Sequence, residues 1–263
     1  MKTRVLIVGG GFAGAATAAA LSKHNSVSVT LIEGEKVPGV HSSGKNASMA
    51  RRVIGDPILA HLASQSVEGI RRLQTEDGVR LFEETGGLLV GQEADIETLH
   101  RVATEVPSLQ QDMRIVQRSD LTHRVDALTD SASTIGIATT QCGVVDIHAL
   151  LSHYLNIARR QGATFLTNHR LSAIDVQAGA VKRACVNGSW LDCDLIINAA
   201  GFAANNVAEM AELHPLPLTP SRRHLFVTER WERINPHWPF VWDVSNGLYF
   251  RPESGGLLMC ACD

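Results

Sequence analysis

Four glycines, Gly9, Gly10, Gly11 and Gly14, follow the apolar run Val5-Leu6-Ile7-Val8 and lead into an alanine-rich stretch from Ala13 to Leu21. Their spacing reads Gly-x-Gly-x-x-Gly, and the chemistry it permits is the holding of a pyrophosphate. Gly9 would make a tight turn, Gly11 would let the backbone approach the phosphates, and Gly14 would let a helix pack closely on a strand. Phe12 and Ala13 complete the turn, and the phosphates meet the free N–H groups and positive dipole end of the helix. A second strand, Ser26 to Ile32, ends on Glu33, 19 residues after Gly14. A carboxylate at that distance accepts hydrogen bonds from an adenosine ribose and repels a 2′-phosphate, which disfavours NADP.

The elements needed to position these residues are a strand, a helix and a second strand. The same stretch has the basic start, apolar middle and small residues of a secretory signal peptide. The glycines separate the two readings, since each costs a helix about 1 kcal/mol relative to Ala. A signal peptide gains nothing from them, whereas a dinucleotide site requires them.

Composition bounds the rest. A chain of 263 residues, 44% hydrophobic and 19% charged, has the make-up of a globular protein able to bury a large core. No apolar run is long enough to span a membrane, and a net charge of -3 gives no reason to expect nucleic acid. Cys142, Cys185, Cys193, Cys260 and Cys262 are odd in number and lack CxxC spacing, which argues against a disulfide framework and a zinc site. The 11 histidines show no metal-binding spacing, so no metal is expected. A reducing cytoplasm is the expected compartment.

Along the chain, β-α-β patterning to Glu33 gives way to a Gly-, Ser- and Pro-containing loop, Gly34 to Asn46. Helical patterning resumes near Ala47, pauses at Gly55-Asp56-Pro57, and continues to Gln74, with Asp56 as N-cap and Pro57 at the first helical position. Two short apolar runs around Gly86-Gly87 read as a hairpin. A helix is expected from Ala94 to Thr104, then strand and helix over residues 110–128, and strand again over 133–146. After Asp146 an amphipathic helix ends near Gly162. Further strands follow, with a turn at Asn187-Gly188, finishing on Leu195-Ile196-Ile197.

The order GxGxxG, Glu33, "HSSGKNASMARR", "GVVDIHALL", "DLIINAAGFAAN", "RRHLFVTE" and "GLYFRPESGGLLM" resembles the D-amino-acid-oxidase-like family of flavoenzymes, which includes glycine oxidase, sarcosine oxidase and amino acid dehydrogenases. The resemblance covers nearly the whole chain. It implies an α/β fold: a Rossmann-like, GR2-type FAD-binding domain with an inserted α+β substrate domain on a mixed sheet. Placed on the sequence, these are residues 1–80 and 146–215 for FAD, and 81–145 and 216–263 for substrate.

The cofactor so implied is noncovalent FAD. Gly34 follows the ribose acid, Ser42, Ser43 and Gly44 would carry the pyrophosphate and ribityl region, and Lys45, Asn46, Ala47 and Met49 would run along the isoalloxazine ring. Ala199, Ala200 and Gly201 form a strand-end corner near the phosphates. His41 lies beside this loop and is read as structural.

The implied reaction dehydrogenates the C–N bond of an amino acid or secondary amine, with hydride passing to flavin N5. A carboxylated substrate needs a cationic anchor, for which Arg222, Arg223 and Arg251 are candidates. Tyr249 and Arg251 alternate onto one strand face and are the preferred catalytic pair. The acceptor is left open between oxygen and a quinone or protein.

Relatives of this kind run past the position of Asp263 with a further strand and helix, so an unpaired sheet edge, possible homo-oligomerisation and an incomplete flavin site are expected. Two other readings stay open: an NAD-dependent Rossmann dehydrogenase, and a non-catalytic truncated flavoprotein. The loop of 13 small and polar residues after Glu33 disfavours the NAD enzyme, whose helices and strands would continue directly.

Overall fold

The structure is a computed structural model, and it describes residues 2–262. The chain divides into two compact units, each assembled from two segments: residues 1–46 with 147–221, and 47–146 with 222–263.

In chain order, β1 (Thr3–Val8), α1 (Phe12–Leu21) and β2 (Val27–Glu33) open the first unit. The second unit begins with β3 (Met49–Ala50), α2 (Pro57–Asp77), β4 (Phe82–Glu83), β5 (Gly87–Gly91), α3 (Glu93–Thr104) and α4 (Pro107–Gln110). It continues through β6 (Arg114–Gln117), α5 (Arg118–Arg124), β7 (Ile135–Thr139) and β8 (Gly143–Val145). The chain then returns to the first unit with α6 (Ile147–Arg160), β9 (Thr164–Thr167), β10 (Leu171–Gln177), β11 (Ala180–Val186), β12 (Ser189–Asp192), β13 (Leu195–Asn198) and α7 (Ala204–Met210). It ends in the second with β14 (Phe226–Val227), β15 (Phe240–Asp243), β16 (Leu248–Glu253) and β17 (Gly256–Ala261).

The first unit is built on a parallel sheet in the order β13-β1-β2-β9. Parallel strands covered on both faces read as continuous apolar runs, and β1 obeys this, with Val5 to Val8 all buried. Small side chains on α1, Ala18 and Ala19, pack with Val5, Ile7, Val29 and Leu31. A separate antiparallel meander, β10-β11-β12, turns at Asn187-Gly188, where both residues take positive φ (49° and 80°) as a two-residue type I′ turn requires.

The second unit carries a mixed seven-stranded sheet, β14-β17-β16-β15-β5-β7-β6, in which β15 and β5 are parallel and the other pairs antiparallel. Helices cover one face: Ala60 of α2, Ile96 and Ala103 of α3 and Leu109 of α4 pack with Leu89 and Ile137. A small sheet, β3-β8-β4, completes it.

Three expectations are corrected. The first segment of the first unit ends at Asn46 rather than at 80, and Ala60 of α2 packs in a core cluster of the second unit with Leu89 and Ile137. The stretch from Ala47 is not helical: Ser48 takes φ +60°, Met49 and Ala50 pair with β8, and the helix starts only at Pro57. Asp56 does cap it, accepting from the Leu59 amide at 2.9 Å. Finally, β4 and β5 are not a hairpin, since β4 pairs with β8 while β5 pairs with β7 and β15. Gly86 (φ +80°) lets the chain change sheets, and a Cβ on Gly87 would lie 2.6 Å from the Phe240 ring.

Candidate functional site

In the first unit a cavity of about 600 Å³ opens where β1 and β2 end and α1 begins. The glycines shape it as their spacing predicts. Gly9, at φ +111°, sits under the corner after β13: a Cβ there would lie 2.3 Å from the Ala199 carbonyl oxygen. A Cβ on Gly14 would lie 1.9 Å from the Gly9 carbonyl oxygen, so the close approach of helix to strand depends on it. Gly14 thus acts behind the cavity, while Gly9, Gly11, Phe12 and Ala13 line it.

The start of α1 is the anion-facing end. Gly11, its N-cap, has no side chain with which to close it. The Phe12 amide instead donates to Ser43 Oγ at 3.0 Å, which brings the serine loop onto the helix end as expected. Ser42 lines the same wall. Asn46 Nδ2 donates to the carbonyls of Ser42 (3.2 Å) and Ser43 (2.8 Å), and the Lys45 amide donates to the His41 carbonyl at 3.0 Å. Gly44 packs too tightly against Gly39 for a side chain, its Cβ position being 2.3 Å from the Gly39 carbonyl oxygen. Lys45 and Asn46 therefore hold the loop and do not line the cavity.

Glu33 stands at the end of β2. One carboxylate oxygen accepts from the Gly10 amide and the other from the Glu35 amide, each at 2.8 Å. A carboxylate has about four lone-pair sites, so two remain for ribose hydroxyls. Beside it the Arg170 guanidinium lies over Gly34 and pairs with Glu35 at 2.8 Å. Arg170, and then His41 at 3.4 Å, hold the Glu35 carboxyl below its usual range. His41 also meets Phe202 edge-on, with ring centroids 5.0 Å apart. On the opposite rim Ala199, Ala200 and Gly201 form the corner expected of them, and the Ala199 amide donates to the Val8 carbonyl at 2.9 Å. A glycine turn open to close approach, a helix start met by the Ser43 hydroxyl, a carboxylate at the end of β2 and a serine loop together fit the adenosine diphosphate part of FAD.

The second unit holds the other predicted residues. Ala47, Tyr249, Leu258 and Cys260 form a buried cluster, with Met49, Leu225, Trp242 and Cys262 packed against it. Tyr249 and Arg251 share one face of β16, as the alternation predicts. The Arg251 guanidinium, however, is fully engaged: Nε donates to the Ala47 carbonyl at 2.7 Å, and the other nitrogens bind the Pro252 carbonyl (2.9 Å) and the Glu253 carboxylate (2.7 Å). It therefore fixes Ala47 in place, and the expectation of a free anchor at Arg251 does not hold. Burial, and then the neighbouring Cys260, push the Tyr249 phenol well above its usual pKa, so it is a proton-bearing group at neutral pH.

Sequence reasoning missed Arg51. Its guanidinium lies 3.7 Å from the centroid of the Trp242 ring, and Trp242 stacks on Tyr249 at 4.7 Å and 29°. Arg51 has no carboxylate partner among the described residues, and burial draws its pKa down. Arg52, next to it, is fully buried and pairs with Asp112 at 3.4 Å, with Gln141 and Ser108 as further acceptors. Nothing in an Arg-Arg pair distinguishes the two roles. No group of residues able to hold a metal occurs among the described residues, where all five cysteines are free, and no helix there is long and apolar enough to cross a membrane.

Comparison with known proteins agrees with this geometry. The chain is 22% identical to mitochondrial L-2-hydroxyglutarate dehydrogenase of Bos taurus, an alignment covering 96% of the chain and 58% of the relative. It is 23% identical to monomeric sarcosine oxidase of Bacillus sp. (strain B-0618), covering 96% and 66%. Its fold matches the crystal structure of L-proline dehydrogenase from P. horikoshii with a TM-score of 0.87 at 21% identity, covering 98% of the chain and 69% of that structure. The chain spans about six-tenths of the length of the curated relatives it matches. Residues 4–263 match the family described as FAD dependent oxidoreductase (DAO), and the chain belongs to that family.

Proposed function

We propose that the chain carries the FAD site and part of the substrate site of an oxidoreductase that dehydrogenates the C–N bond of a carboxylated amine or amino acid. The observation that carries this reading is the cradle at the start of α1, where Gly9 and Gly11 leave the backbone bare, Ser43 Oγ meets the Phe12 amide and the Glu33 carboxylate accepts from the Gly10 amide. FAD, when bound, supplies a two-electron acceptor for a hydride from the substrate α-carbon. The protein's part is to bind and orient. Glu33 would take the ribose hydroxyls, the α1 amides and Ser42–Gly44 the pyrophosphate, and Ala199–Gly201 the opposite side. Ala47 and Met49 would border the ring system, with Arg251 holding Ala47.

On the substrate side, Arg51 replaces Arg251 as the carboxylate anchor, because it has no carboxylate of its own and Trp242 fixes its plane. Tyr249 would present its phenol beside that anchor. FAD is taken to be held without a covalent bond: His41 is engaged with Glu35 and Phe202.

A second reading has a specific support. Several of the sequence relatives are L-2-hydroxyglutarate dehydrogenases, whose substrate carries a hydroxyl where an amino acid carries an amine. The test is to load the protein with FAD, desalt it, and add amino acids, N-methyl amino acids and 2-hydroxy acids without oxygen. Bleaching of the flavin bands by an amine supports the first reading, and bleaching by hydroxy acids alone supports the second. Loss of all flavin on desalting would overturn both for this chain.

A further inference from the structure

The end of β2, where Glu33 meets the cavity, is braced by the chain that leaves β9. The Asn168 amide donates to the Glu35 carbonyl at 2.9 Å, and the His169 amide donates to the Glu33 carbonyl at 2.8 Å. The Arg170 guanidinium then takes the Glu35 carboxylate. This bridge, residues 168–170, is itself grasped by Asn187 in the turn between β11 and β12. The Asn187 amide donates to the Arg170 carbonyl at 3.1 Å, its Oδ1 accepts from the Arg170 amide at 2.9 Å, and its Nδ2 donates to the Asn168 carbonyl at 2.8 Å. Every polar group of the Asn187 side chain is thus spent on the bridge.

The turn alone does not call for that side chain. A type I′ turn accepts glycine at its first position, and Asn187 takes φ +49°. The strand ladder does not replace it either, since the register of β10 against β11 shifts between Leu171 and Ala173, next to the bridge. Of the two amides that hold the Glu33 carboxylate, that of Glu35 stays in place only while residue 35 does, and the bridge fixes residue 35 through Asn168 and Arg170. We propose that Asn187 is a positioning residue for the adenosine end of FAD: acting through residues 168–170, it holds the Glu33 carboxylate and the Arg170 guanidinium at the rim, although it does not line the cavity itself. A carboxylate ordered in advance spares the ligand the cost of ordering it on binding. The inference rests on the cofactor reading above and adds to it a residue remote from the ligand.

The experiment is a double-mutant cycle on the full chain, titrated with ADP, using wild type, Asn187→Gly, Glu33→Gln and the double variant. Asn187→Gly removes the side-chain bonds without straining the turn, so its melting temperature should stay near wild type while ADP affinity falls about tenfold. In the Glu33→Gln background the same change should cost less than about twofold, because the group it positions is gone. Amide exchange gives a second readout without ligand: the Asn168 and His169 amides should exchange at least about fivefold faster in Asn187→Gly, with those of β11 unchanged. It decides alone if Glu33→Gln binds ADP too weakly to titrate. Should Asn187→Gly melt well below wild type, Asn187→Asp, which keeps the Oδ1 acceptor and loses the Nδ2 donor, takes its place in the cycle. Wild-type ADP affinity in the Asn187 variant, an equal loss in both backgrounds, or unchanged exchange at residues 168 and 169 would overturn the inference and leave the cofactor reading standing. Failure of wild type to bind either ADP or FAD would overturn both.

Discussion

Arg251 binds the carbonyl oxygen of Ala47 at 2.7 Å, across 204 positions of sequence, and so ties the last strands of the second unit to the residue with which that unit begins. The contact is buried and charge-assisted, and it borders Ser48, a non-glycine residue at φ +60°. Arg251→Met should lower the unfolding free energy by about 2–3 kcal/mol, through the lost bond and the unpaired Glu253, as read by denaturant titration. Arg251→Lys, which retains the charge and one bond, should recover part of it.

The two glycines at the start of α1 should behave differently. Gly14→Ala drives a Cβ into the Gly9 carbonyl, backbone against backbone, and is expected to cost at least about 2 kcal/mol of stability. Gly11→Ala meets only Ser43 Oγ, at 2.7 Å, which can turn aside. Its thermal midpoint should stay near wild type, while FAD affinity falls roughly tenfold because the phosphate approach is filled. Fluorescence titration with FAD, paired with a melt, separates the two effects.

The Arg52–Asp112 pair lies wholly out of water, and Asp112 also accepts from the Thr140 amide (2.8 Å) and hydroxyl (2.6 Å). Asp112→Ala leaves a buried guanidinium without its carboxylate and should cost about 3–5 kcal/mol. Replacing Arg51, by contrast, should leave the denaturation midpoint nearly unchanged. A large loss there would show that Arg51 is a structural cation and not an anchor.

Arg4 holds the Asp194 carboxylate with its backbone amide (2.8 Å) and two guanidinium nitrogens (3.2 and 2.8 Å), bringing the carboxyl from 3.8 down to about 2. A carboxyl depressed on folding contributes stability that is present above its ordinary value and lost as pH falls through the folded one. The difference between wild type and Asp194→Asn should therefore be constant from neutral pH to about 4 and vanish near 2. Denaturant midpoints across that range at low salt give the measurement, and high salt should shrink the difference at every pH.

The glycine turn at the start of α1 was legible in the sequence because its constraints are local: a positive φ, a close helix and an acid at the end of the next strand leave their marks in residue type and spacing. The substrate side was not. Arg51 and Arg52 differ only in what the fold brings to them, Trp242 to one and Asp112 to the other. The unit boundary was misplaced for a related reason, since the periodicity of α2 shows that it has an apolar face without showing whose core receives it. At Gly86-Gly87 the apolar runs were read correctly as strands, but partner choice depended on distant burial against Phe240 and Cys142.

The register of β1 has a consequence in time. Val5 pairs with Leu195 on one side and with Val29 on the other, so the second neighbour of β1 is 190 residues later. At about 5–20 residues per second, a ribosome takes roughly 10–40 seconds to supply it. Throughout that interval one edge of β1, whose Leu6 and Ile7 end almost wholly buried, stays unpaired and able to join the wrong strand. Distant pairing of this kind also slows folding itself. The strand that leads into the glycine turn is laid down first and enclosed among the last, so the yield of folded chain depends on how well that edge is shielded while translation runs.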